Sequence, residues 1–154
     1  QRVERPAGER GITCTLTCGD DVVVYGDAAL LSHAVDNVVR NAVQYNRPAG
    51  RVGVRVAVEE AAPGTWTPGV AIVSVTDTGH GISPDDRTRV FDRFYRADPS
   101  RSRRTGGSGL GLSIASEVVR LFGGGIRIAD SSPDGTCVEL RLPGGVVRAA
   151  PPSD

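Results

Sequence analysis

Lysine is missing from this 154-residue chain and so is methionine; all eighteen basic residues are arginine. A chain without lysine cannot carry a nucleotide site built on one. That excludes the P-loop ending in Gly-Lys-Ser/Thr and the strand lysine of eukaryotic-type protein kinases. With no methionine and with Gln1 in first place, the chain is expected to be a piece excised from something larger. It has no run of about 18 apolar residues to span a bilayer, and no basic, apolar, small-residue opening of the signal-peptide kind. The piece is therefore expected to be soluble by itself and to make no direct membrane contact. An excess of one charge is lacking too. Eighteen acidic residues balance the arginines, so the overall field gives no reason to expect nucleic acid or an anionic membrane as partner.

Cysteine is limited to three residues. Cys14 and Cys18 stand four apart in an alternating segment. In a strand rising roughly 3.3 Å per residue their Cα atoms lie about 13 Å apart, too far for a disulfide. Cys137 is remote in sequence, and no Cys-x-x-Cys or clustered His/Cys spacing suggests zinc. Buried free thiols in a reducing compartment are the expectation. Aromatics make up only 5%, whereas glycine, at 20 of 154 residues, is nearly twice its usual share. The length suits one domain of ordinary size, and the excess glycine is expected in functional turns.

Polar residues 1 to 11, with Pro6 and Gly8, read as a linker leading into the domain. Ile12, Cys14, Leu16 and Cys18 then alternate with threonines; Gly19-Asp20-Asp21 and Val22 to Tyr25 follow, a pattern that predicts a β-hairpin. Asp27 suits a helix N-cap before the run Ala28 to Tyr45. Val52, Val54, Val56 and Val58 predict a strand, and a polar loop from Ala61 to Gly69 carries Trp66. Val70 to Val75 reads as a central strand, and Pro84 to Val90 as a short helical stretch. Residues 97 to 107 have no apolar period and predict a mobile loop. Leu110 to Phe122 predicts a second helix, ended by three glycines, and a last hairpin runs from Ile126 to Ala129 and Cys137 to Leu142 around Pro133-Asp134-Gly135. The tail, 143 to 154, is expected to fray.

Four segments carry chemistry. At about 100° per residue, Leu31, Val35, Val38, Val39 and Ala42 share one side of the first helix, with Asn37, Asn41 and Gln44 grouped within about 60° of arc on another. Carboxamide oxygens there are neutral hard ligands, suited to a magnesium ion whose other ligands are waters and phosphate oxygens. Asp77-Thr78-Gly79-His80-Gly81-Ile82 leaves the end of the apolar strand, where a carboxylate can accept a hydrogen bond from an exocyclic amino group such as that of adenine. Gly79 and Gly81 let backbone approach a flat ring. Gly106-Gly107-Ser108-Gly109-Leu110-Gly111-Leu112 enters the second helix, and glycines before a helix N-terminus present N–H groups to phosphate. Between them, Phe91-Asp92-Arg93-Phe94-Tyr95-Arg96 leads into an arginine-rich loop; five arginines against Asp98 leave residues 93 to 104 with a net charge of +4, which attracts polyphosphate. Each signal taken alone also fits an ordinary turn or a solvated surface.

Together, Asn-x-x-x-Asn-Ala-x-x-Tyr, Asp-x-Gly-x-Gly-Ile, Phe-x-Arg-Phe-Tyr-Arg and Gly-x-Gly-Leu-Gly-Leu resemble the catalytic ATP-binding domain of bacterial two-component sensor histidine kinases, relatives of the gyrase, Hsp90 and MutL ATPases. The resemblance covers about residues 12 to 142. It implies an α/β two-layer sandwich of the Bergerat type, a mixed sheet with helices on one face and ATP held under a flexible lid. By that resemblance Asn41 is the magnesium ligand, with Asn37 and Gln44 beside it, and Tyr45 flanks the base. Asp77 binds the adenine amino group, while Gly79, Gly81 and Ile82 line the base pocket. Arg96 reaches phosphate and shares the catalytic role with Asn41; Gly107, Ser108, Gly109, Leu110, Gly111 and Leu112 form the phosphate-side hinge of the lid. ATP and magnesium are the implied cofactors. The implied partners are a histidine on an adjoining dimerisation domain, absent here, and a response regulator receiver domain. The implied location is the cytoplasmic part of a membrane-anchored sensor kinase.

Two departures stand out. Family members commonly place lysine where this chain has Gln44, leaving a lid arginine to supply the charge. Neither His33 nor His80 sits in a phosphoacceptor box, and both read as structural or solvated. Hydrolase relatives place a glutamate base one turn before the metal asparagine; Asn37 occupies that place, so water is not the favoured nucleophile. The alternatives are an ATPase or serine kinase of the same fold, a nucleotide-binding module that signals without transfer, and, against the absence of a stacking platform, nucleic-acid binding by the arginine loop.

Overall fold

The computed structural model describes residues 7–8, 10–19, 22–61, 69–97 and 108–146. Among them run β1 (Thr13–Cys18), β2 (Val22–Val24), α1 (Ala28–Gln44), β3 (Arg51–Glu59), β4 (Val70–Asp77), α2 (Gly111–Leu121), β5 (Gly125–Ser132) and β6 (Gly135–Val146). The strands form a mixed sheet in the order β1-β3-β4-β6-β2, with β5 also paired to β6. Only β1 and β3 run parallel; every other pairing is antiparallel. Both helices lie on one face, which makes the two-layer α/β sandwich.

Register explains the two faces. Val54, Val75 and Val138 are cross-strand neighbours, as are Val56, Val73 and Leu140, and all of these but Val56 belong to one apolar cluster with Ala34 and Val38 of α1 and Ala115 and Val119 of α2. Alternate residues point the other way. There Glu139 pairs with Arg127 at 2.8 Å and with Arg141 at 3.5 Å, and Arg141 also pairs with Glu59. Such exposed pairs contribute at most about 1 kcal/mol each, so stability resides on the helix side. Alanines at the helix crossing, Ala34 and Ala115, are fully buried and let α1 and α2 approach closely. Asp27 caps α1 as its sequence predicts, its carboxylate accepting from Leu30 N–H at 2.9 Å.

Several expectations are corrected. The predicted hairpin over residues 12 to 25 does not form: β1 pairs with β3, and β2 pairs with the far end of β6. Alternation fixes a strand but not its partner, and here the crossover through α1 brings β3 parallel to β1. Cys14 and Cys18 are exposed instead of buried, and Cys137 is half-buried. The helices leave β1 uncovered, so every residue of that edge strand faces water. Residues 84 to 92 make successive turns instead of a helix, with Asp86 N–H on Ser83 O at 3.1 Å and Asp92 N–H on Arg89 O at 2.9 Å. The last strand does not stop at Leu142; it runs to Val146, held by β2. The buried stripe of α1 is also turned slightly: Ala34, Asn37 and Val43 are buried, while Leu31, Val35 and Val39 are only partly so. The β5–β6 hairpin forms as expected. Trp66 and the loop from 98 to 107 lie outside the described residues.

Two leucines separate the layers. Leu140 is 1% exposed at the sheet centre and Leu16 is 73% exposed on the edge. Leu140→Ala is expected to lose about 3 kcal/mol and Leu16→Ala less than about 0.5 kcal/mol, read from urea midpoints. Equal losses would contradict this placement of the core.

Candidate functional site

A cavity of about 670 Å³ opens between α1, the ends of β4 and β6, and the segment leading into α2. The 3.6-residue repeat of α1 brings Asn37, Asn41 and Gln44 to its wall, with Tyr45 at the helix end. Asp77 forms the floor, beside its register partner Thr136 and with Val138 behind. Gly81 and Ile82 supply the loop side. Opposite stand Arg96 and Ser108 through Leu112, with Gly109, Leu110 and Gly111 among them.

Gly79 is not in the lining. Its N–H donates to Asp77 Oδ1 at 2.7 Å, and a Cβ on it would sit 2.6 Å from Tyr45 O. The glycine thus holds the acid from behind, which corrects its expected place against the base. Gly81 has φ +74, and a Cβ there would lie 1.9 Å from Ser132 O; no other residue fits without moving β5. Gly107 lies outside the described residues.

Asp77 is poised for a polar ligand. Burial raises its pKa above the ordinary 3.8, opposed by the N–H groups of Gly79 and Thr136 and by His80. Across the cavity, Arg96 Nε and Nη2 are buried with no hydrogen-bond partner among the described residues, and so is Asn37 Nδ2. Buried donors without partners are rare and call for a ligand. The N-terminus of α2 adds to them, since Leu110 makes no side-chain cap and the helix dipole puts partial positive charge there. The donor set fits a nucleotide: a carboxylate acceptor at one end, unpaired guanidinium and backbone donors at the other. Among the described residues no group of three His, Cys, Asp or Glu could hold a metal alone. A single carboxamide such as that of Asn41 instead fits magnesium brought by phosphate oxygens.

The mouth is built on a narrow clasp. Phe94 N–H donates to Gly109 O at 3.1 Å, joining the two sides of the arginine-rich loop at its base. Phe94 takes φ +64 and Gly109 φ +70. Tyr95 OH donates to Asp86, which also accepts from Ser83 Oγ at 2.6 Å, and Arg89 lies 4.3 Å over the Tyr95 ring.

Against this geometry, the sequence profile described as "Histidine kinase-, DNA gyrase B-, and HSP90-like ATPase" matches residues 26–145. The chain belongs to that family. Relatives include the signal transduction histidine-protein kinase/phosphatase MprB of Mycobacterium ulcerans (strain Agy99), 44% identical over 125 residues, covering 79% of this chain and 23% of the relative. The sensor histidine kinase WalK of Bacillus subtilis (strain 168) is 37% identical, with 80% and 19% covered. The chain thus spans about a fifth to a quarter of such relatives. Among solved structures, a mycobacterial sensor histidine kinase MprB superposes with TM-score 0.76 at 40% identity, covering 94% of this chain and 91% of that one. Full-length ShkA in complex with AMPPNP superposes at 0.76 with 27% identity, covering 96% and 29%. This is a histidine kinase/ATPase domain of the kind found in two-component sensor kinases, and its sheet and helices are the Bergerat fold. No described helix is long and apolar enough to cross a membrane.

Sequence reasoning missed some of the lining. Thr136 and Val138 could be found only from strand register. Arg40 lies on the same helix face as Asn37 and Asn41 and was legible by periodicity. His33 and His80, read as structural or solvated, both line the cavity; His33 stands one turn before Asn37, a spacing that signalled it.

The raised pKa of Asp77 sets a pH effect. Folding tightens its hold on a proton, so ionising it costs stability: the cost is absent below 3.8, grows as pH rises toward the raised value and is complete above it. Asp77→Asn, whose amide oxygen still accepts from Gly79, is expected to be at least as stable as wild type at pH 7 without ligand, the difference closing toward pH 3.8. Thermal unfolding across pH checks this; a variant clearly less stable at pH 7 would contradict it.

Proposed function

We propose that the cavity binds Mg-ATP and that the domain delivers the γ-phosphoryl group to a histidine on an adjoining dimerisation domain, from which it passes to an aspartate of a response regulator receiver domain. The observation that carries the reading is the meeting of Asn41, Asp77 and the unpartnered donors of Arg96 on one cavity. Asp77 accepts from the adenine amino group, and Tyr45 flanks the ring with Gly81 and Ile82. Arg96, Ser108 and the backbone N–H groups of Gly109 to Leu112 take the phosphates; Gln44 and Asn37 add neutral polar contacts. Asn41 is the residue that would hold magnesium, which when bound offsets phosphate charge. Catalysis of this kind is positioning and charge stabilisation, so the residues need only fix the chain of phosphates in line with an incoming imidazole.

The nucleophile follows from what stands before Asn41. One turn earlier is buried Asn37 and not a carboxylate, so no acid there draws a proton from water. The relatives' printed names point the same way, to sensor histidine kinases. By the same reading the domain works on the cytoplasmic side of a membrane-anchored sensor, with no nucleic-acid partner.

Asp77→Asn removes a charged acceptor worth about 1.5–3 kcal/mol and is expected to weaken ATP binding roughly ten- to a hundredfold; Asn41→Asp is expected to abolish transfer. Calorimetry, and acid-labile phosphohistidine formed on an added dimerisation domain, are the readouts. Unchanged affinity and unchanged transfer in both variants would defeat the assignment.

A further inference from the structure

The helix that carries Asn37, Asn41 and Gln44 has no basic residue in its last turn to answer the negative end of its dipole. Its final carbonyls are met from elsewhere. Arg10 Nη1 donates to Val43 O and to Gln44 O, each at 2.7 Å, and Arg10 Nη2 donates to Asn46 O at 2.6 Å. A guanidinium is suited to this, because its donors form a rigid fork and its charge complements the negative end of the helix dipole.

Arg10 is itself held in place. Its carbonyl accepts from Ala49 N–H at 3.0 Å, and its N–H donates to Ala7 O at 3.2 Å. Ala7 and Ile12 on either side are buried in the core. Beyond Arg10 the bonds continue toward the cavity floor. Asn46, also buried, accepts at Oδ1 from Thr78 Oγ1 at 3.1 Å and donates from Nδ2 to Arg51 O at 2.9 Å. Thr78 Oγ1 in turn accepts from Arg51 N–H at 2.9 Å, and Thr78 follows Asp77 directly. One side chain from outside the cavity therefore fixes both of its base-side walls: the helix end with Gln44 and Tyr45, and the strand end with Asp77.

We infer that Arg10 is a positioning residue for the nucleotide, which ties the segment leading into the domain to the end of α1 and so makes nucleotide affinity depend on where that segment sits. The inference rests on the functional reading above. Drawing Ala7 and Arg10 away from α1 removes three hydrogen bonds to its end at once and loosens the base-side walls, while the sheet and the phosphate side, built on α2, stay as they are.

The test uses the 154-residue chain with Arg10→Ala and Arg10→Lys, titrated with Mg-ATP and with metal-free ADP at a temperature where circular dichroism shows each variant folded. Arg10→Ala is expected to raise both dissociation constants alike, at least fivefold, because base contacts are common to the two ligands; Arg10→Lys is expected to recover part of the loss. Amide exchange at Tyr45 and Asn46 is expected to quicken at least tenfold in Arg10→Ala with that at Val75 unchanged, a contrast that general destabilisation would not give. If Arg10→Ala does not fold, Arg10→Gln is read in the same two ways. Wild-type binding with unchanged affinity in the variant overturns the inference alone, as does uniform acceleration of every amide. A wild-type chain that binds no nucleotide overturns the functional reading first, and this one with it.

Discussion

A half-buried carboxylate at the end of a strand is costly, and the site is arranged around keeping Asp77 there. Gly79 N–H answers one of its oxygens, and Gly79 can do so only because it lacks a Cβ that would strike Tyr45 O. The turn of the β5–β6 hairpin closes over the same residue: a Cβ on Gly135, which has φ +149, would lie 1.9 Å from Asp77 O. Asn46 and Thr78 brace the next residue against the end of α1. Two glycines, a hairpin and a helix end thus converge on one acid whose pKa burial raises. Such strain against stability is expected where a group is held for a ligand.

The phosphate side is organised differently. Among the described residues the donors there outnumber their acceptors, with Arg96 lacking partners at two nitrogens and α2 beginning without a side-chain cap. A ligand carrying negative charge is what both deficits call for. Between the halves stands Asn37, buried where a Cβ on Gly111 of α2 would lie 3.9 Å from the Asn37 Cβ. The helix crossing therefore sets the distance between the end of the cavity that accepts hydrogen bonds and the end that donates them.

The sequence was most legible where chemistry is written in consecutive residues. The amide stripe of α1 follows from helical period alone, and Asp77 announces itself as an acid leaving an apolar run. Partner choice was not legible. Thr13 to Cys18 alternates identically whether it forms a hairpin or an edge strand, so its pairing with β3 and the exposure of Cys14 and Cys18 follow only from the reach of the helix layer. Thr136 joins the cavity through a register 59 positions from Asp77, and Arg10 braces its wall from outside through bonds that cross 33 to 36 positions. Long-range contacts of this sort leave no local signature. Gly79 shows the same limit: its spacing marked it as important, but only geometry tells that it supports the acid and does not line the pocket.

The central claim is that one cavity receives the base at Asp77 and the phosphates at Arg96 and the start of α2. The measurement that tests it most directly is amide chemical-shift mapping of the chain titrated with AMPPNP and magnesium. The account predicts saturable shifts concentrated at Asp77, Gly79, Thr136, Asn41 and Gly109 to Leu112, with the outer sheet face around Arg127 and Glu139 unmoved. Shifts confined to that outer face, or none at saturating nucleotide, would contradict it.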